Sequence, residues 1–304
     1  VPEHNRPFLA LGLRLLAAFA LATLYMLVKY VNAQGVALPE IMFWRQAVSL
    51  PLLLGWVFAT GQTAQLRSQR RKAHAMRSVM GTIGMVTLFG AQILLPLAVA
   101  TVLGFTTPLF AVILTALVLK DRVGLWRWAA VVLGFAGVLV IAQPGSAGAM
   151  HLPPLGAAAG LLTGLLVAII SLQIRDLTRT ETPLSVVFYF ALFSTMILAP
   201  LLPFFATAHS AQVWGIILVL GVIGTAAQML LTAALRYGAA ASVLVMDYTT
   251  LVWTTLYGWL VFDQLPPSHT WLGAPLIVAA GLVIAWREHI KLRRLQAVEQ
   301  TPPA

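Results

Sequence analysis

Charge is what this chain has least of. Only 9% of its 304 residues are Asp, Glu, Lys or Arg, where an ordinary globular domain carries about 25%. With 60% hydrophobic residues and a mean hydropathy of +0.90, a soluble protein of this size could not hide its apolar surface, and a disordered chain needs the opposite balance. Cysteine is absent, which excludes a disulfide scaffold and thiolate chemistry and leaves the redox compartment open. No G-x-x-x-x-G-K-[ST] phosphate loop occurs, so ATP-driven pumping by this chain is excluded. No H-E-x-x-H occurs either, and the six histidines fall in tails, loops or helix ends, which argues against a buried metal or acid–base centre. A membrane enzyme lacks the acid and His clusters it would need, and nothing in the sequence calls for a cofactor.

What is present is a series of long apolar runs. A spanning helix takes about 20 mainly apolar residues. Ten such runs occur, at roughly 9–31, 39–60, 77–97, 100–119, 125–143, 155–174, 183–205, 212–234, 240–262 and 269–286. Barrel strands would alternate apolar and polar residues, whereas Ala129 to Ala142 is apolar on every side. The first run is long for a signal peptide and has no small-residue cleavage site before Lys29. Basic residues set the orientation. Of the 19, all but Lys29 and Arg45 fall in the termini or the even-numbered gaps, including Arg67, Arg70, Arg71, Lys72 and Arg77. The odd gaps hold none. Both termini are therefore expected in the cytoplasm, which requires an even number of spans. The net charge of +10 reads as topology and contact with anionic lipid, and nucleic acid is not an expected partner.

The two halves share short blocks in the same order. Ala91-Gln92-Ile93-Leu94-Leu95 matches Ala227-Gln228-Met229-Leu230-Leu231; Ala100-Thr101-Val102-Leu103 matches Ala241-Ser242-Val243-Leu244; Ala136 to Ile141 matches Ala280 to Ile284. Five spans per half invert the second half relative to the first, the arrangement behind alternating access in many secondary transporters. The expected fold is an all-α polytopic membrane protein of ten transmembrane helices as two inverted five-helix repeats, 9–143 and 155–286. A periplasmic linker, 144–154, and a cytoplasmic tail, 287–304, complete it.

This pattern resembles the drug/metabolite transporter superfamily of the EamA type. Leu94 to Ala98 running into Thr101 to Phe110 is similar to that family's passage from third to fourth helix, as is Arg127-Trp128 followed by Gly134 to Val138. Lys29 and Arg45 resemble the branch that includes S-adenosylmethionine carriers. Lys120-Asp121 stands where many members carry Gly-Glu. The resemblance implies an inner-membrane carrier of a small organic metabolite, such as an amino acid, a derivative or a nucleoside-like compound. A lipid-carrier flippase is the main alternative; a membrane enzyme or a scaffold follows behind.

Asp247 is the one deep acid, about seven residues or ~10 Å into its span. An intramembrane charge of this kind faces a cavity, a partner or a proton path. With no basic residue expected at its depth, Asp247 is the candidate proton-coupling group, since desolvation favours a neutral carboxyl. On the repeat it falls near Thr106, next to Pro108, which is expected to kink the fourth span. Arg45 and Lys29 are candidates for holding an anionic group of the solute, for snorkelling to the outer surface with their stems in lipid, or for pairing with Glu40 as an outer gate. Gln92 and Gln228 suit a polar solute or helix–helix bonds. Tyr248 and Trp253, with Trp44 and Tyr257, could stack against a solute or simply pack. Gly156, Gly160 and Gly164 are expected to pack inside the bundle, with a homodimer seam as the alternative.

The orientation is directly testable because native cysteine is absent. In intact cells an impermeant thiol reagent is expected to label Ser146→Cys and Thr207→Cys and to spare Ser68→Cys. Labelling of Ser68→Cys would overturn the topology.

Overall fold

A computed structural model describes residues 7–118, 120, 123–143, 152–237 and 246–299. The Ala241–Leu244 block, the 144–148 stretch and Asp121 lie outside the described residues. Every regular element is helical: α1 Pro7–Ala33, α2 Leu38–Ala59, α3 Arg71–Leu94, α4 Leu97–Gly104, α5 Thr107–Leu117, α6 Leu125–Ala142, α7 Pro154–Leu177, α8 Pro183–Leu198, a short α9 Leu202–Phe205, α10 Ala211–Tyr237, α11 Thr249–Phe262 and α12 Ser268–Glu299. Nine of the described spans are long and apolar enough to cross a membrane, with α4 and α5 together making one of them. The remaining segment is a 3-10 turn, Met246–Tyr248, leading into α11.

The outer surface is what lipid requires. Leu125, Val132 and Leu139, seven residues apart on α6, are 83%, 69% and 60% exposed. Such a face would be a liability in water and is at home in hydrocarbon. The opposite side of α6 carries Gly134 and Gly137. An added Cβ at Gly137 would lie 2.7 Å from the Gly273 carbonyl on α12, and one at Gly273 would lie 2.6 Å from the Gly137 carbonyl. Small residues let these backbones meet.

The principal helix contacts obey a two-fold rule. If α1 to α3, α4–α5 and α6 are exchanged with α7, α8, α10, α11 and α12, the largest helix contacts map onto one another, while smaller ones such as α1 with α3 have no counterpart. Contacts of α1 with α10 become those of α7 with α3, α2 with α10 becomes α8 with α3, and α1 with α11 becomes α7 with α4 and α5; α2–α8, α6–α12 and α4–α11 are self-paired. Two inverted five-helix repeats give this pattern. Backbone detail repeats too. Lys120 after α5 and Asp263 after α11 both take left-handed φ, +53° and +51°, a conformation that glycine adopts at less cost.

The chain leaves α geometry at Phe105–Thr106, and Pro108 sits in the first turn of α5, where its missing N–H matters least. Threonine hydroxyls take up the freed carbonyls: Thr106 donates to Leu103 at 2.6 Å and Thr107 to Gly104 at 2.9 Å. In the other half Thr249 donates to Met246 at 2.6 Å. The two irregular points touch, with the Phe105 and Tyr248 rings 4.8 Å apart, edge to face.

The glycine stripe of α7 packs inward on this region. A Cβ at Gly156 would strike Leu95, at Gly160 Leu103, and at Gly164 the Thr106 hydroxyl. Gly164→Ala is expected to destabilise the protein by about 1–3 kcal/mol through overpacking. Gly90→Ala, where nothing lies within 4 Å, should be neutral or mildly stabilising. Thermal unfolding in detergent separates the two.

Candidate functional site

The candidate residues fall into two groups. The first lies along the seam between α1 and α11. Arg14 Nε and Nη2 donate to Asp247 Oδ1 and Oδ2, both at 2.5 Å, a bidentate pair. One step outward Phe19 meets Trp253 edge to face at 5.0 Å. Then Thr23 Oγ1 and the Tyr257 hydroxyl lie 2.9 Å apart. At the far end Lys29 Nζ donates to the Leu95 carbonyl at 2.5 Å and to Gln264 Oε1 at 3.0 Å, with the Phe262 ring at 5.4 Å.

Two expectations are corrected here. Asp247 does have a cation at its depth. Arg14, counted from sequence with the cytoplasmic terminus, lies two turns inside α1, and its side chain is only 7% exposed. The premise that no basic residue stands at the depth of Asp247 is thereby removed. Lys29 neither reaches out to the surface nor stands free, since it caps the last carbonyl of the third span. Tyr248 packs against Phe105 and close over Gly281.

The second group lies between α2, α3 and α10. Arg45 is 5% exposed. Its Nη1 donates to Gln46 Oε1 at 3.0 Å and lies 3.2 Å from Met85 Sδ, while the Phe89 ring is 5.7 Å away. Gly224 on α10 gives it room, since a Cβ there would lie 3.0 Å from Nε. No described carboxylate pairs with it. Glu40, an expected partner for Arg45 or Lys29, instead meets His209 Nε2 at 3.0 Å. That contact joins α2 to the α9–α10 connection.

Arg45 Nε, Gln46 Nε2 and both amide atoms of Gln92 are buried without a protein partner. Gln92 is fully buried, about one turn beyond Phe89 on α3. Buried polar groups are normally satisfied, so this concentration of free donors and acceptors marks a place built for something polar. Gln228, its counterpart by repeat, is half-buried on α10 and is not free. Tyr25, on α1, lies within electrostatic reach of both Arg45 and Asp247. Sequence reasoning passed over Tyr25, Gln46 and Arg14. Gln46 beside Arg45 was visible as a polar pair in an apolar run; nothing in the sequence singled out Tyr25. Among the described residues no His, Asp and Glu cluster could hold a metal ion.

The sequence model of the EamA-like transporter family matches residues 8–143 and again 154–286. The pseudopaline exporter of Pseudomonas aeruginosa is 31% identical over 277 residues, 90% of this chain and 94% of that protein. The riboflavin transporter of Vibrio cholerae is 30% identical over 287 residues, 92% and 94% of the two chains. The S-adenosylmethionine uptake transporter of Rickettsia prowazekii is 27% identical over 254 residues, 82% and 83%. A solved crystal structure superposes with a TM-score of 0.59 at 20% identity, over 93% of this chain and 98% of that one.

The Arg14–Asp247 pair makes a quantitative expectation. Removing one partner of a fully buried pair costs about 3–5 kcal/mol. Asp247 is one-third exposed, so Asp247→Asn and Arg14→Gln should each cost less than that. The double variant should lose less than the sum of the singles, a coupling that a double-mutant cycle on thermal stability measures. Additive losses would show that the pair carries no stability.

Proposed function

This chain belongs to the EamA-like transporter family, a multi-pass membrane protein that moves small metabolites and not an enzyme, and on that premise we propose how and what it carries. It is a secondary active transporter of a small organic solute. Two inverted repeats rock about a central site, in the inner membrane with both termini in the cytoplasm. The solute's anionic group is held by Arg45, with the amides of Gln92 and Gln46 completing its polar contacts. The observation that carries this reading is the buried Arg45 guanidinium with no described carboxylate beside it.

The chemistry follows from what an uncompensated cation in a low-dielectric interior needs. Its desolvation is repaid by a carboxylate or phosphate that uses the guanidinium fork and its unpaired Nε. An amino acid or derivative fits that demand, and so do larger carboxylates. Similarity to an exporter and to an uptake carrier leaves both directions open. In the first of two steps the Arg45 contact forms; in the second, closure on one face and opening on the other carries the group across. Glu40–His209 at one end and Arg14–Asp247 towards the other tie the two repeats to each other, and contacts of this kind must open or slide as the halves rock.

The test is flux in proteoliposomes against a panel of amino acids, their derivatives, riboflavin and S-adenosylmethionine. For any solute carried, Arg45→Lys is expected to weaken apparent affinity by roughly tenfold, because a point charge replaces the bidentate fork. Arg45→Ala should cost more. Normal affinity in both variants would remove Arg45 from the site.

A further inference from the structure

We propose that Arg77 is a second anion-binding position on the same path, so that the carboxylate or phosphate of the solute is held by Arg45 and Arg77 in turn. The proposal rests on the reading of Arg45 given above and extends it towards the cytoplasmic face.

By sequence Arg77 belongs to the basic loop that sets topology. The structure places it inside α3, six residues from its start, and only 8% exposed. A long cationic side chain near a helix end ordinarily reaches for the surface; this one does not. Its Nε and Nη1 are buried without a partner. No described acid forms an ion pair with it. Glu181, at the same end of the bundle, is committed elsewhere, accepting from Ser68 at 2.8 Å and lying 3.7 Å from His74.

What holds Arg77 in place leaves its donors available. The guanidinium carbon lies 3.8 Å from the centre of the Phe190 ring on α8. At that distance the group stacks on the ring face, which engages the cation and leaves its in-plane N–H groups for oxygen acceptors. Gly81 keeps the space clear, since a Cβ there would lie 2.9 Å from Nη1. Phe190 belongs to the second repeat and Arg77 to the first, so this position sits on the boundary that must move during transport.

The two arginines also act on each other. They are within electrostatic reach, and eight residues of α3, about 12 Å of rise, separate Arg77 from Met85, where Arg45 rests. Two buried cations on one path repel unless an anion lies with them. The repeat gives no counterpart: the Gln92–Gln228 match sets Val213 opposite Arg77. The path is thus basic on one side only, as suits a cargo with an acidic end.

The oxyanion could come from a soluble solute or from an anionic lipid headgroup, and the experiment separates them. The full chain is placed in phosphatidylcholine nanodiscs, and thermal unfolding is followed with inorganic phosphate or succinate as probe, against chloride at equal ionic strength. Wild type is expected to be stabilised by a probe. Arg77→Gln should weaken the apparent affinity by about tenfold or more, as should Arg45→Gln. Arg77→Lys should fold normally and fall between, which keeps the test alive should Arg77→Gln not fold. A full response in both Arg77 variants with loss in Arg45→Gln overturns the second position and leaves Arg45 as the anchor. No response in wild type or any variant overturns both. If phosphatidylglycerol nanodiscs stabilise wild type but not Arg77→Gln, and suppress the phosphate response, Arg77 holds lipid and the solute assignment fails.

Discussion

Everything in this fold answers to one constraint: in hydrocarbon, a backbone N–H or C=O has no water to turn to. Continuous helices meet it without help, and most of the chain is continuous helix. Two of the described exceptions are Phe105–Thr106 and the turn at Met246–Tyr248, and both lie inside the bundle, against each other. Each keeps its polar groups satisfied with the nearest threonine hydroxyl. The glycines of α7 bring a helix close enough to seal the first break. Gly281 leaves space for Tyr248 at the second. The breaks are therefore supported from outside as well as from within.

Around these breaks the packing is two-fold while the charge is not. The largest helix contacts map onto one another when the halves are exchanged. Yet Arg45 and Arg77, both buried and neither paired with a carboxylate, belong to the first half. The scaffold supplies a motion that treats the membrane faces alike, and side chains of one half supply chemistry that does not. The same division appears among the fixed pairs. Arg14–Asp247 and Glu40–His209 each join a residue of one half to a residue of the other, so charge that is compensated ties the repeats together. Charge that is not compensated faces the interior.

How much of this was legible beforehand depends on the range of the interaction. Hydropathy is a local sum, so span number and helical class could be read from composition, and the repeat blocks gave the halves. The pairing of Glu40 was not legible: its partner His209 is 169 residues away, and Arg45 and Lys29 were nearer in sequence. Arg14 and Arg77 were misplaced for a related reason. Hydropathy windows push charged residues out to the loops, so a cation buried by tertiary contact is counted as topology. Arg45 escaped because apolar residues flank it on both sides. Pro108 and the paired threonines were readable as a break because backbone chemistry is local. Which side chains would gather near the break was not readable, and the seam of α1 with α11 absorbed residues that sequence had placed around a single central site.

The bond from Arg14 to Asp247 spans 233 residues, which makes it a matter of timing as well as geometry. At synthesis rates of about 5–20 residues per second, α1 leaves the ribosome on the order of tens of seconds before its counterion exists. Its main partners, α10 and the rest of α11, are nearly as late. During that interval α1 sits in the bilayer with an unpaired guanidinium near its N-terminal end, a place from which the side chain can still reach the headgroups. Closure of the seam then draws it inward. The earliest of the described helices is therefore among the last to be locked, and any interruption before residue 247 leaves Arg14 without its counterion.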